Sequence, residues 1–205
     1  MHAADSATDV RDELLTLLAR QSFRLGSFRL SSGGISDYYI DCRVTTLAAR
    51  GALLIGRLVL GALRADGAEV AAVGGLTLGA DPIVVATAMA SALAPPEIGA
   101  FIVRKQEKAH GTGRRIEGAV RPGMPVAIVD DVCTTAASTM EALDAAWQAG
   151  LEVRRVLCLV EREEAGGRQR LREFWEARAG GACPFTAFFT AAEVCARHLA
   201  LEPRS

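Results

Sequence analysis

The feature that most constrains this chain is the run from Pro125 to Thr139, whose character changes twice. Residues 126–129 are apolar and predict a short buried strand. Asp130 and Asp131 follow at once. Small hydroxylated residues come next, namely Thr134, Thr135, Ser138 and Thr139. From residue 140 onward the apolar positions have helical spacing. The run therefore predicts a strand, an acidic pair, a polar turn and a helix, in that order.

This order of elements has a physical use at the carboxyl end of a parallel strand. The turn into the following helix offers unpaired backbone N–H groups and a positive dipole end, which suit a phosphate. The hydroxyls add donors, while the carboxylates of Asp130 and Asp131 accept hydrogen bonds from the hydroxyls of a sugar. A phosphate site beside a diol site fits ribose 5-phosphate. The alternative is that the aspartates only end a strand and that Thr135 or Ser138 caps a helix.

The whole run resembles the phosphoribosyl pyrophosphate (PRPP) binding motif of type I phosphoribosyltransferases: an apolar strand, two acidic residues, an apolar pair and Thr-Thr-Gly-Gly-Ser-Thr. That family usually has glycine where this chain has Ala136 and Ala137. Alanine with positive φ costs about 1 kcal/mol or more. Either these positions are already helical, or the phosphate cradle is changed. The residues that the resemblance assigns to PRPP here are Asp130, Asp131, Thr134, Thr135, Ala136, Ala137 and Ser138.

Composition limits the classes of protein that this chain can belong to. Its 205 residues suit one domain, spanning residues 1–205, with a core of its own. The net charge of −1 gives no reason to expect nucleic acid or an acidic membrane surface as a partner. We find neither an apolar run of roughly 18 residues nor the pattern of a signal peptide. The five cysteines are scattered without a CxxC pair, so we expect reduced thiols, a cytoplasmic protein and no zinc site.

The stretch from Phe28 to Arg43 begins as a loop rich in glycine and serine and continues as a strand. Its pattern, Phe-x-Leu-x-Ser-Gly-x-x-Ser-x-Tyr-Tyr-x-Asp-x-Arg, resembles the N-terminal hood of orotate phosphoribosyltransferases, which covers the orotate ring. The loop residues that the resemblance assigns to orotate are Ser31, Ser32 and Gly33. Many relatives have lysine at the first of these, so backbone N–H groups replace its charge here. Tyr38 and Tyr39 either stack on a base or, as is commoner on a strand, pack half-buried.

Residues 104–115 carry five Lys or Arg, one acid and two glycines, which predicts a mobile basic loop. A solvated loop is one alternative, and a nucleic-acid patch is disfavoured because no aromatic residues are interleaved. The segment Arg-Lys-x-x-Lys-x-His-Gly resembles the catalytic loop of orotate phosphoribosyltransferases, which closes over pyrophosphate and reaches across a dimer interface. The resemblance assigns PRPP binding to Arg104, Lys105, Lys108 and His110, the last three also being catalytic.

The chemistry of phosphoribosyl transfer explains why such a loop is basic. As the bond at C1 of ribose breaks, an oxocarbenium-like centre faces a leaving group of high negative charge, which positioned cations stabilise. Closure of the loop also excludes water. Lys108 is our first choice for the main cation, and His110 either donates a proton to pyrophosphate or only hydrogen-bonds to it.

Two further strand ends carry candidate residues. The loop 74–82 follows a strand predicted at 70–73 and resembles the family loop whose backbone holds pyrophosphate; an ordinary turn is the alternative. Asp81 before Pro82 predicts an N-cap followed by the first helical residue. Arg162 follows the next strand, where charged residues are usually just solvated. By resemblance, Arg162 grips the orotate carboxylate in a planar, bidentate manner, and Thr134 also contacts orotate.

Strands and helices alternate from about residue 48, which predicts a mostly parallel, doubly wound α/β sheet flanked by helices. The first 45 residues, with or without a last strand at 184–189, are expected to form the hood over a core of residues 46–205. Asp9 is expected to cap the first helix, and Thr190 and Glu193 to form a capping box at the last.

The resemblance covers nearly the whole chain and implies a type I phosphoribosyltransferase-like fold. It also implies conversion of orotate and PRPP to orotidine 5′-phosphate and pyrophosphate in UMP biosynthesis. Mg²⁺ would be held mainly by PRPP and water rather than by a dedicated protein site. A homodimer is implied as well. The alternatives are a purine-specific enzyme of the same fold, or a non-catalytic binding protein or regulator.

Overall fold

The computed structural model describes residues 7–29, 35–65, 67, 69–105 and 115–202. Five of the residues assigned above lie outside these ranges, namely Ser31, Ser32, Gly33, Lys108 and His110. Among the described residues, no helix has the length and apolar character needed to cross a membrane.

The hood consists of helix α1 (Ala7–Leu17), a π-helical turn (Leu18–Ser22) and strands β1 (Phe23–Arg29) and β2 (Ile35–Ile40), which pair antiparallel. The pairing slips between Leu25 and Phe28, so β1 is one bent strand and not a hairpin of its own. Asp9 lies inside the first turn of α1, so its expected role as the cap was wrong. The negative charge of Asp9 still interacts favourably with the positive end of the helix dipole.

The elements of the core follow in chain order. They are α2 (Arg43–Thr46), α3 (Ala49–Ala65), β3 (Ala72–Leu76), α4 (Asp81–Leu93), β4 (Gly99–Val103), β5 (Ile116–Gly118), β6 (Pro125–Cys133), α5 (Ala137–Gln148), β7 (Glu152–Glu161), a 3₁₀ turn (Glu163–Ala165), α6 (Gly167–Ala179), β8 (Phe185–Thr190) and α7 (Ala191–Leu201).

Six of these strands form one sheet in the order β5-β4-β3-β6-β7-β8. All neighbouring pairs are parallel except β4 and β5, which confirms the predicted mostly parallel sheet. Strand β8 lies beside β7, with Val160 opposite Phe189, so the last strand belongs to the core and not to the hood. The sequence left this point open because a strand's neighbour is chosen by long-range packing.

Helices cover both faces of the sheet, and strand β6 carries apolar side chains that pack against the helices on each face. Ala127 and Val129 pack into the cluster formed with α1, α3, α4 and α7. Val126 and Ile128 point to the opposite cluster, which includes α5 and α6. Because successive side chains on a strand alternate in direction, a strand buried on both sides must be apolar throughout. This is why the run before the acidic pair is continuous.

The starts of two helices test the capping signals. At α7, Thr190 Oγ1 accepts from the backbone N–H of Glu193 at 3.1 Å and the Glu193 carboxylate accepts from the N–H of Thr190 at 2.9 Å, which confirms the capping box. At α4 the expected N-cap was wrong by one residue: Asp81 is the first helical residue and Ala80 is the N-cap. The Asp81 carboxylate instead accepts a hydrogen bond from Thr77 Oγ1 at 2.7 Å.

Candidate active site

A cleft of about 460 Å³ opens at the carboxyl ends of β3 and β6, beneath the hood. It gathers residues from the hood, the loop after β3, the strand β6, the start of α5 and the end of β7. Its lining includes Tyr39, Ile40, Asp41, Arg43, Thr77, Leu78, Gly79, Lys105, Asp130, Asp131, Thr134, Ser138 and Arg162. Segments more than 100 residues apart thus meet where parallel strands of a doubly wound sheet place ligands.

The acidic pair lies within β6, which continues to Cys133 by pairing with β7, and not after a strand ending at residue 129. Asp130 is only 5% exposed. Its carboxylate accepts a hydrogen bond from Thr139 Oγ1 at 2.7 Å and another from the backbone N–H of Asp131 at 3.0 Å. The Asp131 carboxylate, which is less buried, accepts a hydrogen bond from the backbone N–H of Val132 at 2.9 Å, so both carboxylates are held in place.

Burial, followed by the neighbouring charge of Asp131, raises the pKa of Asp130 to about 7. Burial also raises the pKa of Asp131. Two adjacent carboxylates titrate as a pair, because ionising one makes ionising the other harder. Near neutral pH the pair therefore tends to retain a proton, and its remaining carboxyl oxygens can accept hydrogen bonds from a diol.

The turn after β6 shows how the chain accommodates Ala136 and Ala137 where the family usually has glycine: one alanine is left-handed and the other is helical. Ala136 has φ 62° and ψ 10°, the left-handed conformation that glycine adopts freely. Ala137 is the first residue of α5. Ala136 is 3% exposed, with its methyl group in the core cluster beneath α5. The turn therefore keeps the backbone course that suits a phosphate, at some conformational strain.

The hydroxylated residues of this turn do not all face the cleft. Thr134 and Ser138 line it, beside the first N–H groups of α5, which have no partner within the helix. Thr135 is exposed, and its carbonyl accepts a weak hydrogen bond from Arg170 Nε at 3.3 Å. The geometry thus offers a ring of donors centred on residues 134 and 138.

Strand β3 and the loop that follows it approach β6 closely at two glycines. A Cβ atom on Gly75 would lie 2.1 Å from the carbonyl oxygen of Val129, and one on Gly79 would lie 2.4 Å from Asp131 Oδ1. The first contact is with backbone, so Gly75 is required by space, whereas the second is with the end of a side chain, so a residue larger than Gly79 would displace the Asp131 carboxylate. They bring the Thr77–Gly79 backbone next to the acidic pair.

Arg162 forms the wall of the cleft opposite the acidic pair and is 8% exposed. Its Nε donates to the Tyr38 hydroxyl at 2.9 Å, and its Nη2 lies 3.1 Å from Ser36 Oγ and 3.0 Å from a Glu164 oxygen. The guanidinium also lies over the Tyr38 ring, 4.4 Å from its centre. The sequence assigned Arg162 a role but gave no hint of these three partners.

The two hood tyrosines have different surroundings. The Tyr38 ring stacks on Phe23 at 5.4 Å, so packing and not base stacking describes it. Its hydroxyl donates to Glu164; burial and this bond, opposed by Arg162, raise the pKa of Tyr38 to about 12, so the proton stays on at neutral pH. Tyr39 is 42% exposed, contacts Phe28 and lines the cleft.

The described ends of the basic loop lie side by side. The Arg104 backbone N–H donates to the Arg115 carbonyl at 2.8 Å, which closes the base of the loop. Lys105 is exposed and lines the cleft. The Arg104 side chain lies 3.3 Å from a Glu117 carboxylate oxygen on β5, so its assignment to PRPP stays a prediction.

Sequence reasoning missed several residues of the cleft. Asp41 and Arg43 line it and form a two-pronged ion pair at 2.8 and 2.9 Å. Both belong to the hood pattern, so the signal was available. Gly79 was named only as part of a loop. The partners of Arg162 had no local signal, because Ser36 lies 126 positions away in the sequence.

A doubly wound parallel sheet under a small hood, with an acidic pair and a left-handed turn at one strand end, is the type I phosphoribosyltransferase fold. A scan of protein-family models finds no match. The chain is 48% identical over 163 residues to an orotate phosphoribosyltransferase of Thermosynechococcus vestitus, covering 79% of this chain and 85% of that protein. It is 44% identical over 186 residues to one of Synechocystis, covering 90% and 88%.

A solved structure shows the same likeness. The orotate phosphoribosyltransferase of Mycobacterium tuberculosis, in complex with 5-phospho-α-D-ribosyl 1-diphosphate, superposes with a TM-score of 0.71 at 33% identity, covering 90% of this chain and 98% of that one. The chain belongs to the orotate phosphoribosyltransferase family.

Proposed function

We propose that this protein, acting as one domain, transfers the phosphoribosyl group of PRPP to orotate, giving orotidine 5′-phosphate and pyrophosphate in de novo UMP biosynthesis. The observation that carries the proposal is the cleft itself. An acidic pair and a phosphate-type turn occupy one side, and a buried arginine occupies the other. Arg162 suits a base that bears a carboxylate, which adenine and hypoxanthine lack, so the purine alternative is disfavoured.

PRPP fits the side of the cleft formed by residues 75–79 and 129–139, which we call the floor. The ribose hydroxyls donate to Asp130 and Asp131, and the 5-phosphate accepts from the hydroxyls of Thr134 and Ser138 and from the backbone N–H groups of residues 134–138. The pyrophosphate lies against the backbone of Thr77–Gly79 and meets Lys105, joined by Lys108 and His110 on the family resemblance.

Orotate fits between this floor and the hood. Its carboxylate meets Arg162, its ring lies by Thr134, and the family resemblance adds Ser31, Ser32 and Gly33. In the reaction, the bond between C1 of ribose and a pyrophosphate oxygen breaks, a bond from C1 to a ring nitrogen of orotate forms, and the proton of that nitrogen is released to water or to pyrophosphate. Lys105 and Lys108 stabilise the charge that develops on the leaving pyrophosphate, and His110 supplies a proton or a hydrogen bond.

Mg²⁺ fits the donor set of the cleft. The cleft is lined by the carboxylates of Asp41, Asp130 and Asp131 and by the hydroxyls of Thr134 and Ser138, and oxygens are the ligands that this ion prefers while keeping several waters. Within the described part of the chain, no three His, Cys, Asp or Glu side chains are grouped to hold a metal. We therefore propose that the ion is held mainly by PRPP and water, with Asp130 and Asp131 nearby. When bound, it offsets the charge of pyrophosphate.

An exposed apolar face supports a homodimer. Val85, Met89 and Leu93 are spaced four residues apart along α4 and are 49%, 64% and 83% exposed. Leu47 and Leu78 are also largely exposed, at 72% and 67%. Large apolar side chains on one helical face are typical of a protein interface. We propose a homodimer that buries this face, with the basic loop reaching the neighbouring site.

The cysteines support a cytoplasmic location. All five lie in the described part of the chain and are free thiols. Free thiols persist where the surroundings are reducing, as in the cytosol.

The test of function is the loss of orotate absorbance in the presence of PRPP and Mg²⁺, with adenine, hypoxanthine and uracil as other bases. We expect turnover of orotate alone. Asp131→Asn should weaken PRPP binding by about tenfold, because a charged acceptor of a hydroxyl is lost. Asp144→Asn on α5, away from the cleft, is the matched control. PRPP binding without turnover of any base would favour the binding-protein alternative.

A further inference from the structure

Arg162 separates two clefts. It lines the candidate active site and also a second cleft of about 670 Å³ between the hood strands and the turn after β7. Ser36, Tyr38 and Glu164, the three partners of Arg162, all line this second cleft. The guanidinium is therefore held from the side that faces away from the acidic pair.

The contacts of Arg162 fall on one edge of its guanidinium. One oxygen of Glu164 lies 3.1 Å from Nε and 3.0 Å from Nη2, and the Tyr38 hydroxyl donates to the same oxygen. Ser36 Oγ takes a further bond from Nη2. The Nε–Nη2 edge is thus occupied, which leaves the Nη1 side of the fork for a ligand in the active-site cleft.

Holding an arginine in this way has a functional value. A free arginine side chain loses about 2 kcal/mol of rotamer entropy when it is fixed, and a buried cation requires a counter-charge. Glu164 supplies that charge from a carboxylate that is itself half-exposed, at 54%. A guanidinium already in place when the base arrives binds it without this loss.

We propose that Glu164 is a positioning residue for orotate: together with Tyr38 and Ser36 it orients Arg162 toward the carboxylate of the base. This inference rests on the proposed function. It also gives the hood a second role, because Ser36 and Tyr38 lie on β2 whereas Arg162 and Glu164 follow β7. Side chains of the hood thereby fix the orientation of Arg162, which belongs to the core.

The test compares Glu164→Ala, Glu164→Gln and the neighbouring control Glu163→Gln by steady-state kinetics. We expect Glu164→Ala to raise the KM for orotate about tenfold, since a charge-assisted hydrogen-bond acceptor is lost. The KM for PRPP should stay within about twofold, because the floor is untouched. The KM of Glu164→Gln for orotate should be much closer to that of the wild type than the KM of Glu164→Ala is, since the amide oxygen still accepts a hydrogen bond from Arg162. Glu163→Gln should behave as the wild type.

Three outcomes would overturn the proposal. A lower KM for orotate in Glu164→Ala would mean that Glu164 competes with the substrate carboxylate for Arg162. An unchanged KM would mean that Arg162 is positioned without it. A parallel rise in both KM values would mean that Glu164 supports the site as a whole and does not position Arg162 in particular. Failure of the proposed function is distinct, because the wild type itself would then not consume orotate.

Discussion

The two sides of the cleft are built by different means. The floor, formed by residues 75–79 and 129–139, places backbone against backbone at Gly75, where a Cβ atom would lie 2.1 Å from the Val129 carbonyl oxygen. The wall, formed by Ser36, Tyr38, Arg162 and Glu164, is joined by side-chain hydrogen bonds, and Glu164 is half-exposed. In the proposed function, the floor binds PRPP and the wall binds the base.

This difference predicts how each side responds to change. Where two backbones are in close contact, an added atom cannot be accommodated by a side-chain rotation, because neighbouring strands in a packed sheet move only together. A cluster joined by side-chain hydrogen bonds, with the half-exposed Glu164 as one member, adjusts more easily, so losing one bond changes an affinity without unfolding the protein. The floor should therefore govern stability and the wall should govern specificity.

The largest expected effect is that of Gly75→Ala. The added methyl group would overlap the Val129 carbonyl and Ala80 Cβ, at 2.1 and 2.5 Å, so β3 and β6 must separate. We expect a loss of about 3 kcal/mol in the free energy of unfolding, measured with urea. Gly61→Ala is the matched control: nothing lies within 4 Å of its Cβ position in α3, and helix propensity should stabilise it by up to about 1 kcal/mol.

The corresponding change in the wall sharpens the contrast. Ser36→Ala removes a hydroxyl that bonds to Arg162 and to the Tyr38 carbonyl, and should lower the free energy of unfolding by only about 1 kcal/mol. Equal losses from Gly75→Ala and Ser36→Ala would contradict the division into a rigid floor and an adjustable wall.

The next effect concerns the charge in the floor. The pKa of Asp130 is about 7 in the folded protein and has an ordinary value of 3.8. Between these two pH values the folded state binds more protons than the unfolded state. The contribution of Asp130 to the free energy of unfolding is therefore fully present below about pH 4 and is lost as the pH rises through 7. Asp130→Asn has no proton to lose. Urea unfolding from pH 4 to pH 8 should show the wild type losing on the order of 4 kcal/mol relative to this variant. Parallel curves would mean that Asp130 ionises without hindrance.

What the sequence could predict follows the same division. The strand β6 and the helix after it were predictable, because apolar run, acidic pair and hydroxylated turn are neighbours in the chain. The partners of Arg162 were not, since Ser36 and Tyr38 are more than 120 positions away and only tertiary packing brings them together. The helix start at Asp81 was missed by one residue, because the Thr77 hydroxyl takes up its carboxylate. The place of β8 likewise depended on its neighbour β7.

The smallest effect tests the one strained position of the floor. Ala136→Gly removes left-handed strain of about 1 kcal/mol, but it also removes a buried methyl group and frees the unfolded chain, so its net effect on stability should be close to zero. Ala137→Gly relieves no strain, because this residue is already helical, and it should be less stable than Ala136→Gly by about 1 kcal/mol. Urea unfolding of both variants at equal m-values measures this difference. The reverse order would show that methyl packing beneath α5, and not the backbone turn, sets the residue at this position.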